Sequence, residues 1–121
     1  MKKVVLIEDS KVLGTALCGA LKVEDIEVHW ATNGVEGISL AKRVVPDLIL
    51  LDLMLPKLSG FDVCKLLKTD DATWRIPVVI MSTLSDEESR QRATECGADH
   101  FIPKPYDLTS TLAEIKKLLN K

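Results

Sequence analysis

The sequence predicts an α/β fold: one doubly wound, five-stranded parallel sheet of (βα)5 form. Three observations predict it. Short apolar runs rich in branched residues recur at Val4 to Ile7, Leu48 to Leu51 and Val78 to Met81, as suits strands buried on both faces. Amphipathic stretches of helical period separate the strand patterns. The joining segments are short, and no linker, repeat or low-complexity stretch interrupts them, so residues 1–121 are taken as one domain.

The elements follow in order. After the first strand, Val4 to Ile7, a helix is expected from about Ser10 to Lys22, with Leu13, Leu17, Ala20 and Leu21 as its apolar stripe. Gly14 and Gly19 either weaken it or permit close packing. Val28 to Ala31 is the second strand, placed at a sheet edge because His29 and Trp30 make it less apolar. Asn33-Gly34-Val35-Glu36 then caps a second helix that ends at Pro46. Leu48 to Leu51 is the most hydrophobic strand and is placed centrally. Ser59-Gly60-Phe61-Asp62 opens a third helix whose apolar positions are Phe61, Cys64, Leu66 and Leu67. Val78 to Met81 is the fourth strand, and Ser85 with Glu88 begins a fourth helix that stops at Gly97. Phe101-Ile102 is a short fifth strand, followed by a helix from near Asp107 with Leu108, Leu112, Ile115 and Leu119 on one side.

A chain of 121 residues is long enough for a core without a structural metal or disulfides. A net charge of -2 points to no nucleic-acid face, since domains that carry one are usually clearly basic. The cysteines, Cys18, Cys64 and Cys96, match no zinc spacing; the first two are expected buried and the third partly exposed. With no signal-peptide pattern and no apolar run of membrane-spanning length, the expected compartment is the cytoplasm and no membrane partner is expected. Trp30 is expected to pack on its edge strand, with His29 a polar strand residue rather than a proton carrier. Trp74 is expected to pack over the 69–76 segment rather than stand out as an anchor.

Parallel strands of such a sheet deliver their carboxyl ends to one edge, where ligands bind. Glu8-Asp9, Asp52, Ser82 and Lys104 each follow a strand pattern, so three carboxylates, a hydroxyl and an ammonium converge there. Asp52 is followed by Leu53-Met54-Leu55-Pro56, which is neither a helix start nor polar company for a charge. Neighbouring carboxylates raise one another's electrostatic cost, and a hard divalent ion such as Mg²⁺ offsets it. A carboxylate is also a nucleophile able to form an aspartyl phosphate. Lys104 is stiffened by Pro103 and Pro105, and the bond to Pro105 is a candidate for the cis form.

Together these motifs resemble the receiver domain of bacterial two-component response regulators, including the single-domain chemotaxis regulator (the CheY-like domain). The resemblance rests on the acidic pair Glu8-Asp9, on Asp52 with Pro56 and Gly60, and on Ser82 closing the fourth strand. It also rests on Gly97-Ala98 with Phe101, and on Lys104-Pro105, and it spans essentially the whole chain. It implies a flavodoxin-like strand order, 2-1-3-4-5. It implies that Asp52 accepts a phosphoryl group from a sensor histidine kinase or histidine phosphotransfer protein. Mg²⁺ would be held by Glu8, Asp9, Asp52 and the Met54 carbonyl. Lys104 and Ser82 would hold phosphoryl oxygens, and Phe101 would turn inward as Ser82 moves, changing the face made by the fourth helix, fifth strand and fifth helix. Such a protein is not a conventional enzyme, although it catalyses its own aspartyl phosphorylation and dephosphorylation.

Particular residues carry further expectations. Phenylalanine has no hydroxyl to satisfy, so the inward state of Phe101 is expected to be populated before phosphorylation. Met54 and Leu84 flank the acceptor, and their apolar bulk is expected to lengthen the phosphoryl lifetime. Tyr106 is placed near the signalling face. Two other readings are weighed: a phosphorylation-independent docking module, disfavoured because acceptor and lysine are both present, and a small doubly wound phosphatase or nucleotide-binding protein. The glycine-rich loop that nucleotide binding needs is replaced by Glu8-Asp9-Ser10-Lys11. The output, whether a separate effector or further domain, and a phosphorylation-dependent homodimer are left open.

Overall fold

A computed structural model describes residues 1–120 except 57, 84–86, 105 and 106. The expectations for Leu84, Ser85, Pro105 and Tyr106 therefore lie outside the described residues. Five parallel strands, β1 (Lys3–Ile7), β2 (Glu27–Ala31), β3 (Leu48–Asp52), β4 (Val78–Ser82) and β5 (His100–Pro103), form one sheet in the order β2-β1-β3-β4-β5. Helices α1 (Lys11–Val23), α2 (Gly34–Val44), α3 (Gly60–Thr69), α4 (Glu87–Glu95) and α5 (Leu108–Leu118) alternate with them. The doubly wound architecture and the strand order are those expected, with β3 central and β2 at an edge.

Alternate strand residues face opposite layers, as the two-residue period requires. Val5, Ile7, Ile49, Leu51, Val78 and Ile80 pack with residues of α2, α3 and α4. Val4, Leu6, Leu48, Leu50, Val79 and Met81 pack with residues of α1 and α5. Because both faces are covered, β3 and β4 are buried along their whole length, which explains runs of apolar residues in place of alternation.

The helix starts follow local capping chemistry. Ser10, Asn33, Ser59 and Asp107 each accept a backbone N–H of the first turn, satisfying donors that have no partner within the helix. Ser10 is thus the cap of α1. Gly97 follows α4 with φ of 92°, a left-handed turn that a side chain would strain.

Three packing expectations need correction. In α3 the buried stripe is Gly60, Val63, Cys64 and Leu67, a regular i, i+3, i+4, i+7 set, so Val63 takes the inward place and Leu66 is 48% exposed. In α1 the stripe is Gly14, Leu17 and Leu21, which leaves Leu13, Cys18 and Ala20 half-buried on its flanks. Trp74 does not pack down over its loop: it is 48% exposed, with the Arg75 guanidinium 4.9 Å from its ring centre. Trp30 does pack, its indole N–H donating to the Glu8 carbonyl at 2.8 Å. His29 makes a 2.7 Å contact with Glu27 on the outer part of β2.

Candidate functional site

Register alone builds the site. Ile7 lies opposite Leu51 and Asp52 opposite Met81, so Glu8, Asp52 and Ser82 emerge at one level on adjacent strands. Ser82 in turn faces Pro103, and the Lys104 N–H donates to the Ser82 carbonyl at 2.6 Å. This brings Lys104 to the same edge. One carboxylate oxygen from each of Glu8, Asp9 and Asp52 lies within 4.8 Å of the others. Glu8, Asp52 and Ser82 are buried, whereas Asp9 is exposed at the mouth.

The Lys104 ammonium sits 3.1 Å from Asp52 Oδ2 and 3.2 Å from Glu8 Oε1. The contact with Asp52 has hydrogen-bond geometry. That with Glu8 is an ion pair without it, and Glu8 Oε1 is a buried oxygen with no hydrogen-bond donor. Glu8 Oε2 accepts from the Ser10 N–H at 3.1 Å. Desolvation, first, and the adjoining Asp52 push the Glu8 carboxyl up to about 7, against the opposing pull of the Ser10 N–H and Lys104. Burial alone would lower the Lys104 ammonium, but the Asp52 and Glu8 carboxylates outweigh it and raise the group. Two buried carboxylates facing one ammonium leave a negative surplus. The three-carboxylate donor set and the unsatisfied Glu8 oxygen fit a hard divalent cation, which prefers oxygen ligands.

The floor of the site is backbone. Met54 N–H donates to Asp52 Oδ1 at 3.3 Å, while Leu53 N–H reaches the Met81 carbonyl at 3.1 Å. Gly60 N–H donates to the Leu53 carbonyl at 2.8 Å. A Cβ at Gly60 would lie 2.6 Å from both the Asp52 carbonyl oxygen and Leu53 Cα, so only glycine lets α3 begin this close to Asp52. The Met54 side chain is 62% exposed beside Asp52.

Every described residue singled out in the sequence for this edge is therefore found there; Phe101 lies on β5 three residues before Lys104, set back from the edge. Phe101 is opposite Ile80, half-buried against the α2–α3–α4 layer. The Arg90 guanidinium covers its ring at 4.9 Å. That cover was not foreseen, nor was the Arg92 guanidinium 4.0 Å over the Phe61 ring. Both arginines look like ordinary solvated helix residues in the sequence; their spacing from Ala93, the buried face of α4, is the only hint. The Trp30 hydrogen bond that holds the Glu8 backbone was likewise unseen, although Leu6↔Trp30 register follows from the strand pairing.

A family model described as the response regulator receiver domain matches residues 4–116. Among curated proteins, the chain is 35% identical over 121 residues to the DNA-binding dual master transcriptional regulator RpaA of Synechocystis, covering 100% of this chain and 50% of that protein. It is 35% identical over 116 residues to the response regulator PleD of Caulobacter vibrioides, covering 96% of this chain and 26% of that protein. The chain thus spans half, or about a quarter, of these relatives' length. Among solved structures, the non-phosphorylated HemR receiver domain of Leptospira biflexa superposes with a TM-score of 0.90 at 29% identity, covering 100% of this chain and 96% of that one. Among the described residues, no helix is long and apolar enough to cross a membrane.

Proposed function

The chain belongs to the response regulator receiver family, and from that premise we propose that it is a phosphorylation-activated signalling switch. Asp52 is the acceptor. One of its carboxylate oxygens attacks phosphorus on a phosphohistidine of a sensor kinase or phosphotransfer protein. A P–O bond forms as the P–N bond breaks, and the imidazole nitrogen keeps the electron pair. The observation that carries this reading is the Asp52–Lys104 contact of 3.1 Å at the edge of a three-carboxylate cluster.

The residues divide the work. Glu8, Asp9, Asp52 and the Met54 carbonyl would hold Mg²⁺, which supplies charge neutralisation for the phosphoryl oxygens. Lys104 gives a fixed positive charge beside the acceptor and remains to pair with the product. Ser82, buried one register step from Asp52, would donate its hydroxyl to a phosphoryl oxygen. Ser82 and Phe101 are the switch pair, and the face that reports the change is α4, β5 and α5. Downstream of that face stands an effector domain or protein, or a second copy of the chain. The whole of 1–121 acts as the receiver unit, in the cytoplasm, with no nucleic-acid contact of its own. Met54 exposes an apolar side chain beside the acceptor, so Met54→Asn should speed loss of the phosphoryl group.

Intact mass after incubation with acetyl phosphate and Mg²⁺ tests the proposal. The expected result is one added phosphoryl group that requires Mg²⁺ and is lost in Asp52→Asn. No adduct, together with no binding of beryllofluoride, would overturn it in favour of a docking module.

A further inference from the structure

Two of the three cysteines meet where α3 passes the end of α4, away from the acceptor site. Cys64 is buried on the inner face of α3, and Cys96 is half-buried in the turn just after α4. Cys64 Sγ donates to the Cys96 carbonyl at 3.5 Å, and Cys96 Sγ donates to the Ala93 carbonyl at 3.0 Å. Backbone atoms of residue 96 thus lie within one side-chain length of Cys64, the scale a disulfide spans. The approach is close along the whole seam: a Cβ at Gly97 would sit 3.2 Å from Lys68 Cβ, one helical turn beyond Cys64.

The thiols differ in the way that stepwise oxidation needs. The Cys64 thiol hydrogen-bonds toward Cys96, which brings the Cys96 thiol down to about 7 against the cost of its burial; backbone N–H groups at 96 and 98 and Arg92 add to the fall. Cys64 moves the other way, because it is the donor and is buried. The half-buried Cys96 thiol is the one that peroxide reaches first, with the buried Cys64 thiol behind it. Cys18, on α1 across the sheet, has no part in the pair.

We propose that Cys64 and Cys96 form a reversible dithiol–disulfide site that responds to hydrogen peroxide and fastens the end of α4 to α3. The Cys96 thiolate attacks one peroxide oxygen; an S–O bond forms, the O–O bond breaks, and hydroxide leaves to be protonated to water. The Cys64 sulfur then attacks Cys96 Sγ. The S–S bond forms as the S–O bond breaks, and the departing hydroxide takes the Cys64 proton as a second water. Two thiols lose two electrons in total and the peroxide gains them.

The test is independent of phosphoryl chemistry at Asp52. The full chain is treated with hydrogen peroxide without Mg²⁺ or a phosphoryl donor, then followed by intact mass and by non-reducing peptide mapping. Expected are the loss of two hydrogens, a peptide linking Cys64 to Cys96, full reversal by dithiothreitol, and slower amide exchange in α4. Cys18→Ser should react as the parent does, and Cys96→Ser should not form the link. Cys64→Ala, a smaller change at the buried position, should leave Cys96 to gain oxygen without an internal link. Stable oxygen addition to Cys96 in the parent chain with no link, or a disulfide only between two chains, would overturn the proposal.

Discussion

Helices α3 and α4 lie in the same layer over the same face of the sheet, yet they are held by opposite kinds of contact. Helix α3 sets Gly60, Val63, Cys64 and Leu67 into the core and begins against the Asp52 and Leu53 backbone. In α4 only Ser89 and Ala93 are buried, and its arginines reach sideways, Arg90 to the Phe101 ring on β5 and Arg92 to the Phe61 ring on α3. A buried Leu or Val side chain contributes about 1.5–3 kcal/mol through removal from water. An exposed cation–π contact contributes about 0.5–1 kcal/mol. By this measure α3 is anchored by apolar burial, whereas α4 sets fewer apolar side chains into the core, so α4 is the element expected to shift more readily. A switch needs such an element, because a local charge event moves only equilibria that are already close.

The largest expected effect comes from cutting into the frame. Leu67→Ala should cost about 2–5 kcal/mol of global stability, read by urea unfolding. A cost close to that of an α4 surface change would break the comparison. Gly60→Ala comes next, at about 1–3 kcal/mol, because its Cβ has nowhere to go beside Asp52 and Leu53. It should also slow phosphorylation by acetyl phosphate, since the Asp52 backbone must shift.

The acid corner adds a pH dependence of defined sign. The Glu8 carboxyl titrates near 7 in the folded chain against an ordinary value of 4.5, chiefly through desolvation. The unfolded chain therefore releases this proton first. The contribution to stability is full below about 4.5, declines as pH rises through about 7, and is absent above. Metal-free protein should lose stability across that window, Glu8→Gln should flatten the loss, and Mg²⁺ should raise the thermal midpoint more at the alkaline end. A pH profile unchanged by Glu8→Gln would contradict this. The smallest effect belongs to α4: Arg92→Ala should cost under about 1 kcal/mol globally while speeding amide exchange in α4 alone. Equal acceleration in α3 would show that the two helices are not held differently.

Much of the frame was legible because it rests on period and on adjacent residues. Val4 to Ile7 and Leu48 to Leu51 announce strands covered on both sides, and Asn33, Ser59 and Asp107 announce helix starts through a side-chain oxygen immediately before the first turn. The acid corner was legible because parallel strands end on one edge, so Glu8, Asp52 and Ser82 needed only register to meet. What was not legible depends on which way a helix is rotated or what lies across a gap. Leu66 is apolar and reads as buried, but the stripe through Val63 and Leu67 turns it outward. The arginines of α4 find partners through long side chains that no spacing rule specifies, and the meeting of Cys64 with Cys96 depends on how two helices pack.

Charge chemistry at Asp52 is expected to bias α4 while leaving α3 in place. Amide exchange resolved by helix, with and without acetyl phosphate plus Mg²⁺ and beside Asp52→Asn, tests it most directly. The account predicts altered exchange in α4 and β5, unchanged exchange in α3, and no change at all in Asp52→Asn. A phosphorylated protein whose α4 exchanges as before, or whose α3 and α4 change together, would contradict it.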